Sequence, residues 1–392
     1  MTDKRVGMEV SIAGAEAVKL ARAEAISAYP ITPQTHIVEH LAELVANGEL
    51  DAEFVPVESE HSALSVCAGT SAVGARTYTS TSAQGLELMH EILFVVAGMR
   101  LPIVMSVANR ALSAPLSIWN DHSDIMAARD CGWVQIFTEN GQEVFDQTIC
   151  AFKIAEDRRV LIPTIVNLDG FTLSHVVESL FEVSQEMVDQ FLPPYQPVHR
   201  LHPDEPITMG AFAMPEVYSE AKKAQDIALR NSYAVILEVW EEWGKLTGRH
   251  YHPMETYRMD DAKVALLTMG SFGEVAMDAV DRMRAKGIPV GLLKLRLWRP
   301  FPFEDIRKAV QGLEMLVVMD RAISTGGIGG PVASEMKAAL YGQAKRPKII
   351  SFIAGLGGRD VPPEHFEEMI DQALKLKSKR KIEEFYTIGI RG

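Results

Sequence analysis

The chain has 392 residues, of which 47% are hydrophobic, so it can form two or three domains with complete cores. It carries 52 acidic and 39 basic residues, a net charge of −13. This balance argues against nucleic acid or an anionic membrane surface as the main partner.

The three cysteines, Cys67, Cys131 and Cys150, stand far apart in apolar surroundings without a CxxC motif. This pattern predicts buried, reduced thiols and excludes an iron–sulfur cluster or zinc knuckle held by this chain alone. The first ten residues, MTDKRVGMEV, lack the apolar core of a signal peptide, and no apolar run reaches about 18 residues. We therefore expect a cytoplasmic protein.

The first half of the chain alternates helices with short apolar strands. In chain order the predicted elements are a helix over 13–27, the strand AISAY, a helix over 34–47, the strand AEFVPV, a helix over 62–74, the strand RTYTSTS, a helix over 86–97, and the strands PIVMSVA, VQIFT and TIVNL, the last two flanking a helix over 142–157. Apolar strands separated by helices predict an α/β doubly wound, mainly parallel sheet covered on both faces.

In such a sheet, ligands bind in the loops after the carboxyl ends of the strands. These loops comprise residues 29–32, 58–61, 82–85, 109–111 and 169–171. The first contains Pro30 and Pro33 in the run AYPITPQT, which predicts a stiff, extended turn that holds the Thr32 hydroxyl beside Tyr29. Glu60 begins the next helical pattern. The spacing alone leaves open an ordinary strand-to-helix loop with a carboxylate that favours the helix dipole.

Arg110 directly follows an apolar strand, where a cation requires a negatively charged partner. Spacing leaves two candidates open: a ligand anion, or an ion pair with Asp121 or Asp124. His122 lies between these aspartates in NDHSD, a pattern more typical of a turn and helix cap than of a metal site. We assign no metal ligand in this chain.

The alternation stops between about 177 and 260, where a proline-spaced segment and a long helical stretch from 215 predict an interdomain arm. It resumes at Lys263 and predicts a smaller α/β domain. The predicted domains are therefore 1–258, including the arm from about 177, and 259–392, with a solvated basic run KLKSKRK near its end. The glycine-containing runs MGSFGE and STGGIGG match no nucleotide-binding motif, and favour packed helix starts or interdomain contacts over phosphate sites.

Several blocks together carry a family resemblance over nearly the whole chain. AYPITPQT, VPVESEHSA, TSTSAQGLELMHE, ANRALSAPLSIWNDHSDIMAARDCGW, NLDGF, MGSFGE and KLRLWRPFP occur in that order. This arrangement resembles the α chain of multi-subunit pyruvate:ferredoxin oxidoreductases and related 2-oxoacid:ferredoxin oxidoreductases.

The resemblance implies that the first domain is the pyrimidine-binding half of a thiamine diphosphate enzyme, and that residues 259–392 form a transketolase C-terminal-like domain. The chain has no GDG followed by NN some 25–30 residues later, so the diphosphate and Mg²⁺ are expected on a partner β subunit. The [4Fe-4S] clusters are expected on γ- and δ-type subunits. Ferredoxin, coenzyme A and a 2-oxoacid complete the expected partners.

The resemblance also assigns roles to individual residues. Glu60 lies at the position of the glutamate that hydrogen-bonds the aminopyrimidine ring and assists its proton transfer. Thr32 matches a substrate-contacting threonine, with Tyr29, Pro30 and Ile31 beside the cofactor. Arg110 matches the arginine that pairs with the 2-oxoacid carboxylate, which favours the ligand over the ion pair.

Three further residues are weaker candidates. Glu58 precedes Glu60 by two residues and is expected to face the other side. Asn109 and Asp121 are inferred from their positions to orient Arg110.

The implied reaction converts pyruvate, coenzyme A and oxidised ferredoxin into acetyl-CoA, CO2 and reduced ferredoxin, reversibly in principle. Alternatives are the same chemistry on 2-oxoisovalerate, an aromatic oxoacid such as phenylglyoxylate, 2-oxoglutarate or oxalate. Thr32 is neutral and the turn has no second cation, which favours a monocarboxylic substrate. A non-catalytic assembly subunit is the alternative from another class.

Overall fold

The computed structural model describes residues 5–391. Its elements up to residue 181 are β1 (Arg5–Glu9), α1 (Val10–Leu20), β2 (Ala25–Ala28), α2 (Thr35–Ala46), β3 (Glu53–Pro56), α3 (Glu60–Ala72), β4 (Thr77–Thr81), α4 (Ala83–Leu88), α5 (His90–Met99), β5 (Val104–Asn109), α6 (Ser123–Ala127), β6 (Val134–Phe137), α7 (Gly141–Glu156), β7 (Thr164–Asp169) and β8 (Val177–Phe181).

The remaining elements are α8 (Gln185–Phe191), α9 (Pro215–Thr247), β9 (Met254–Tyr257), β10 (Val264–Met269), α10 (Phe272–Ala285), β11 (Val290–Leu295), β12 (Leu297–Arg299), α11 (Phe303–Ala309), β13 (Met315–Asp320), α12 (Pro331–Leu340), β14 (Lys348–Ile353), α13 (Pro363–Leu376) and β15 (Tyr386–Thr387). A single 3-10 turn, Leu356–Gly358, precedes α13.

The first sheet has seven strands in the order β12-β6-β7-β5-β4-β2-β3. All its pairs are parallel except that of β12 with β6. From β2 the chain moves outward to β3 and then returns to β4 on the other side. The strand order therefore changes direction beside β2, and ligands bind at such a switch point. The predicted doubly wound α/β sheet is confirmed.

The second sheet has the order β15-β14-β13-β10-β11-β9, with β9 antiparallel to β11 and the other pairs parallel. β1 and β8 form a separate antiparallel pair. All three cysteines are buried and unbonded to one another, as predicted.

Two strands cross the predicted boundary between the domains. β9 precedes residue 258 but lies in the second sheet, and β12 lies beyond residue 259 but pairs with β6 of the first. The boundary between 258 and 259 stays a prediction. One apolar core also crosses between them, since Leu93 and Trp133 belong to the same buried cluster as Leu267 and Leu316.

Four details of the predicted elements are wrong. The helix expected over 13–27 ends at Leu20, and Arg22 takes a left-handed conformation before β2. The helix expected over 86–97 is two helices that meet at Met89. The stretch PVGLLKLRLWRPFP, which the sequence predicts as one strand closed by prolines, forms two strands in different sheets, β11 and β12. Buried Arg296 lies between them and binds Glu143 and Glu255.

The fourth correction concerns the expected arm. Trp240 and Trp243 of α9 are buried in the core of the first domain, together with Val235, Ile236 and Val239. The helix is therefore packed on that domain over its second half instead of standing apart between domains.

Candidate active site

The Glu60 side chain lies at the first position of α3, at the carboxyl edge of the first sheet. Ser59 caps this helix, since its Oγ accepts a hydrogen bond from the Ser62 amide at 3.2 Å. Glu60 is only 6% exposed. Within residues 5–391 its carboxylate has neither a hydrogen bond nor an ion pair. A buried carboxyl group without a partner in the protein is unusual.

Gly85 in α4 leaves the space that the Glu60 carboxylate occupies. A Cβ atom at position 85 would lie 2.6 Å from Glu60 Oε1 and would also clash with Thr81 Oγ1. Only glycine lets the start of α4 approach this close. The loops after β3 and β4 therefore meet at Glu60.

The turn that follows β2 is held by a residue that the sequence reasoning did not single out. Gln34 Nε2 donates hydrogen bonds to the carbonyl oxygen and the hydroxyl of Ser80, both at 2.8 Å, and Gln34 Oε1 accepts from the Ile31 amide at 3.3 Å. Thr32, Tyr29 and Pro30 on this turn are exposed. The signal for Gln34 was its place directly after the second proline of the motif.

Arg110 is buried, with 6% of its surface exposed, and its guanidinium donates only to neutral acceptors. Its Nε donates to Ser117 O at 2.9 Å, its Nη1 to Thr32 O at 2.8 Å and its Nη2 to Gln84 Oε1 at 3.4 Å. Burial lowers the pKa of the Arg110 guanidinium, and the charge of Asp124 opposes this shift. In the part of the chain that the structure describes, no carboxylate forms a salt bridge with it.

Asp124 orients the backbone beneath this cation. Its Oδ2 accepts from the amides of Arg110 at 2.9 Å and Ala83 at 3.1 Å, and its Oδ1 accepts from Asn109 Nδ2 at 3.1 Å. Burial raises the pKa of Asp124 to about 7, against the effect of these hydrogen bonds. Asn109 and the backbone amide of Arg110 therefore bind the same carboxylate.

Asp121 does not contact Arg110, contrary to expectation. Its Oδ1 accepts from the amide and hydroxyl of Ser123 at 2.9 and 2.5 Å, and its Oδ2 accepts from the Gly357 amide at 3.1 Å. It is a turn and cap residue that also reaches the second domain. Glu58 is exposed, whereas Glu60 is buried, so the two carboxylates do face different surroundings.

The glycine-containing runs make contacts within the protein. The amide and hydroxyl of Ser271, in MGSFGE, donate to Asp169 Oδ2 at 2.9 and 2.5 Å. The amides of Val332 and Ala333, directly after STGGIGG, donate to the Asp320 carboxylate at 2.7 and 3.0 Å. Both helix starts therefore bind a carboxylate of this chain, as the packed and interdomain interpretations predict.

The structure thus brings together residues from three neighbouring strand ends. Thr32 follows β2, Gln84 follows β4 and Arg110 follows β5, and the Arg110 guanidinium contacts the other two. Glu60 joins them through its contact with Gly85, next to Gln84. This edge combines a buried cation, a buried carboxyl group and an exposed threonine.

Two family descriptions match the chain and together cover most of it. Residues 16–241 match "Pyruvate flavodoxin/ferredoxin oxidoreductase, thiamine diP-bdg" and residues 262–366 match "Pyruvate:ferredoxin oxidoreductase core domain II". The chain belongs to the pyruvate:ferredoxin oxidoreductase family. The family predicted from the sequence blocks is confirmed.

Relatives of known name agree with this assignment. The chain is 47% identical to the pyruvate synthase subunit PorA of Pyrococcus abyssi over 99% of this chain and 98% of the relative. It is 49% identical to the subunit of that name from Methanothermobacter thermautotrophicus, over 91% and 92%. The ketoisovalerate oxidoreductase subunit VorA of Pyrococcus abyssi is 43% identical over 95% and 94%.

Two solved structures share the fold. A 2-oxoglutarate:ferredoxin oxidoreductase from Magnetococcus marinus superposes with a TM-score of 0.71 at 19% identity, over 94% of this chain and 65% of that one. A split-gene transketolase chain superposes with a TM-score of 0.54 at 11% identity, over 95% and 99%. The smaller second α/β domain is consistent with this likeness.

As a member of this family, the chain is a subunit of a thiamine diphosphate-dependent oxidoreductase that acts with other subunits. The predictions of the cofactor, and of iron–sulfur clusters on partner subunits, are confirmed. None of the helices within residues 5–391 combines the length and apolar character needed to cross a bilayer.

Proposed function

We propose that this chain is the α subunit of a pyruvate:ferredoxin oxidoreductase that converts pyruvate and coenzyme A into acetyl-CoA and CO2 and passes the electrons to ferredoxin. Pyruvate synthase subunits 45–49% identical to it support this substrate. The observation that carries the proposal is the buried Arg110 guanidinium, whose hydrogen-bond acceptors are all neutral.

Arg110 would bind the carboxylate of the 2-oxoacid. Carbonyl and amide acceptors orient a guanidinium without forming an ion pair with it, so a bound carboxylate would be stabilised by both charge and hydrogen bonds. The anchors also fix the direction of the side chain, since Thr32 O and Ser117 O are backbone atoms. The substrate would therefore meet a cation that needs no rearrangement to bind it.

Glu60 would hold the aminopyrimidine ring of thiamine diphosphate. Its buried, unpartnered carboxyl group at the end of the sheet fits a hydrogen bond to a ring nitrogen, and Gly85 leaves room for it. When bound, this cofactor supplies the carbanion that attacks a keto carbon and stabilises charge after decarboxylation. Glu60 would provide and recover a proton at the ring nitrogen.

The turn after β2 would contact the substrate and the cofactor through Thr32, Tyr29, Pro30 and Ile31. Gln34 fixes this turn, and Tyr29 and Thr32 on it are exposed. A second protein surface could therefore cover these side chains.

A β subunit would supply that surface, together with the diphosphate and Mg²⁺ site. Leu116 and Trp119, on the loop that follows Arg110, are exposed large apolar residues beside the candidate site. Such residues are typical of surfaces covered in a complex. We further propose γ- and δ-type subunits, ferredoxin and coenzyme A as the other partners, and a cytoplasmic location.

The second candidate substrate is 2-oxoisovalerate. It is favoured by the 43% identity to a ketoisovalerate oxidoreductase subunit. The neutral Thr32 beside Arg110 is compatible with either monocarboxylic acid, and the described residues offer no second cation at this turn for a dicarboxylate.

This proposed function is tested under anaerobic conditions. The native complex that contains this chain is purified, and coenzyme A-dependent viologen reduction is followed over a panel of 2-oxoacids with and without thiamine diphosphate. We expect pyruvate to give the highest kcat/KM. If a branched or aromatic oxoacid gave the highest kcat/KM, that oxoacid would take the place of pyruvate as the proposed substrate. If no 2-oxoacid gave activity, the result would favour a non-catalytic assembly subunit.

A further inference from the structure

A second group of chemically active side chains lies outside the candidate active site. Glu9, His36 and His175 each place one possible ligand atom within 4.8 Å of the other two. Among residues 5–391, this is the one group of at least three histidine, cysteine or carboxylate side chains arranged in this way. Its members come from three separate segments: the end of β1, the first turn of α2 and the loop between β7 and β8.

We propose that Glu9, His36 and His175 bind a divalent transition metal ion, namely Zn²⁺. Two imidazoles and one carboxylate are a ligand set that zinc uses in proteins, with water in the fourth position. All three residues are partly exposed, so an ion and a water molecule can reach them.

The metal would replace a proton. Glu9 Oε1 lies 2.6 Å from His36 Nδ1, a hydrogen-bond distance. Zinc bonds of about 2.0–2.1 Å in a tetrahedral arrangement would separate these atoms by roughly 3.3 Å. Binding therefore requires a movement of less than about 1 Å for this pair and releases the shared proton, while the His175 ligand atom, within 4.8 Å of both, would move closer to them.

A second contact holds the His175 ring. Its Nδ1 lies 2.7 Å from Ser174 Oγ, which in turn accepts a hydrogen bond from the Phe171 amide at 2.9 Å. When Nδ1 donates to Ser174, Nε2 carries the lone pair that binds metal, and such a second contact is the usual way to fix a ligand histidine. The Phe171 and His36 rings pack against His175 at 4.6 and 4.4 Å.

The electrostatic surroundings favour the metal-binding form of His175. Its pKa is lowered, first by burial and then by the neighbouring His36, whereas Glu9 acts in the opposite direction. A neutral imidazole is the form that coordinates metal. The ground for the proposal is the arrangement of the three side chains, since their possible ligand atoms already lie within 4.8 Å of one another.

The same helix provides a natural comparison. One turn later, His40 Nε2 lies 2.8 Å from Glu16 Oε1, so it forms a similar pair. Glu16, however, is also bound to Lys19, and among residues 5–391 no second histidine completes a group of three with this pair. Glu16 and His40 therefore form an ordinary hydrogen-bonded pair, and His40 is a matched control.

The bound ion would tie together three segments beside the candidate site. His36 follows Thr32 by four residues, and His175 follows Asp169 and Gly170 on the loop after β7. The ion would thus restrain the turn that carries Thr32 without contacting the substrate.

The test uses the full-length chain without partner subunits, so that iron–sulfur absorption does not interfere. The chain is stripped of metal, titrated with Zn²⁺ against a competing chelator, and in parallel titrated with Co²⁺ while the visible spectrum is recorded. We expect one ion per chain and intense Co²⁺ bands of four- or five-coordinate geometry.

Variants identify the ligands. Loss of a residue that only orients a ligand lowers metal affinity by about 10–100-fold, so we expect Ser174→Ala to bind Zn²⁺ more weakly by a factor in this range. His36→Ala and His175→Ala, which remove a ligand, should lower the Zn²⁺ affinity by about 100-fold or more. His40→Ala should bind like the wild type. His36→Gln and His175→Gln, checked by circular dichroism, separate loss of a ligand from loss of the fold.

The proposal is overturned if the wild type binds no stoichiometric ion or if Co²⁺ shows only weak, six-coordinate bands. It is also overturned if His40→Ala weakens binding as much as His36→Ala, since the ion would then be adventitious.

Discussion

Asp169, the last residue of β7 in the first sheet, accepts a hydrogen bond at 2.6 Å from the guanidinium of Arg321, which directly follows β13 of the second. Both side chains are buried. Burial alone would raise the pKa of Asp169, but Arg321, His122 and Ser271 hold it well below its ordinary value. The Asp169 carboxylate, at the end of a strand of the first sheet, thus binds Arg321 and Ser271, which follow strands of the second sheet.

Asp169→Asn should therefore weaken the contact between the domains. It would leave the Arg321 cation buried without its countercharge, and breaking such a pair costs about 3–5 kcal/mol of the free energy of unfolding. Thermal or denaturant unfolding of the full-length chain measures this. Asp189→Asn, which breaks an exposed pair with Arg22, should cost less than about 1 kcal/mol. Equal losses in the two variants would contradict the interdomain role.

Glu60→Gln should abolish turnover while the complex still assembles, because an amide cannot transfer the proton that a carboxyl group transfers. Viologen reduction gives the activity, and gel filtration of the complex gives the assembly. Glu58→Gln is the control, since Glu58 is exposed two residues earlier. Near-normal activity of Glu60→Gln would remove this residue from the mechanism.

Arg110→Ala should raise the KM for the 2-oxoacid more than it lowers kcat. The loss of a charge-paired contact corresponds to about 2–4 kcal/mol, or roughly 30–1,000-fold in kcat/KM. Steady-state kinetics over a range of 2-oxoacid concentrations measures the two parameters separately.

Arg100→Ala serves as the control for Arg110. Arg100 also donates to a backbone carbonyl, Leu161 O at 2.9 Å, but it precedes β5 and so lies at the opposite edge of the sheet. Its variant should keep the wild-type KM. An unchanged KM in Arg110→Ala would mean that the guanidinium is only structural.

Asp124 should make stability depend on pH. Its pKa of about 7 lies above the ordinary value of about 3.9, so its contribution is fully present below about pH 4 and lost as the pH rises towards 7. Asp124→Asn cannot titrate, so it should lose less of its free energy of unfolding over that window, by on the order of a few kcal/mol at about 1.4 kcal/mol per pKa unit. Melting temperatures measured across the window would show this as a smaller fall in the variant. Asp121→Asn is the control from the same loop. A profile of Asp124→Asn parallel to the wild type would refute this.

Gly170→Ala should disturb the turn of the candidate site. A Cβ atom there would lie 2.5 Å from Asn109 O and 2.6 Å from Pro33 Cγ, and overpacking of this kind costs about 1–3 kcal/mol. We expect a lower melting temperature together with a higher KM. Gly98→Ala, in a helix with open space around it, should be neutral or slightly stabilising. A Gly170→Ala variant of unchanged KM would show that the turn tolerates displacement.

The alternation of helices and strands could be read from the sequence because each parallel strand is a short apolar run and each crossover has helical periodicity. The ends of AISAY, RTYTSTS and PIVMSVA also placed Thr32, Gln84 and Arg110 at one edge. What could not be read was pairing between distant segments. The strand Leu297–Arg299, for example, pairs with β6, which lies some 160 residues earlier in the chain.

Within the candidate site, the missed residues are those whose role depends on side-chain direction. Asp121 and Asp124 have the same chemistry and differ by three positions, yet only Asp124 contacts the Arg110 backbone. Gln34 is similarly defined by its bonds to Ser80 on another strand. The spacing of residues in the sequence places these side chains in a loop, but it does not show which of them points into the protein.

The pairing of β12 with β6 also has a consequence for biosynthesis. Until residues 297–299 have left the ribosome, β6 remains an open sheet edge, and at about 5–20 residues per second this lasts for several seconds or more. Exposed edges are where nascent chains pair wrongly. The first domain is thus finished late in translation, and a messenger truncated before this strand should yield an aggregation-prone product in place of a separable half.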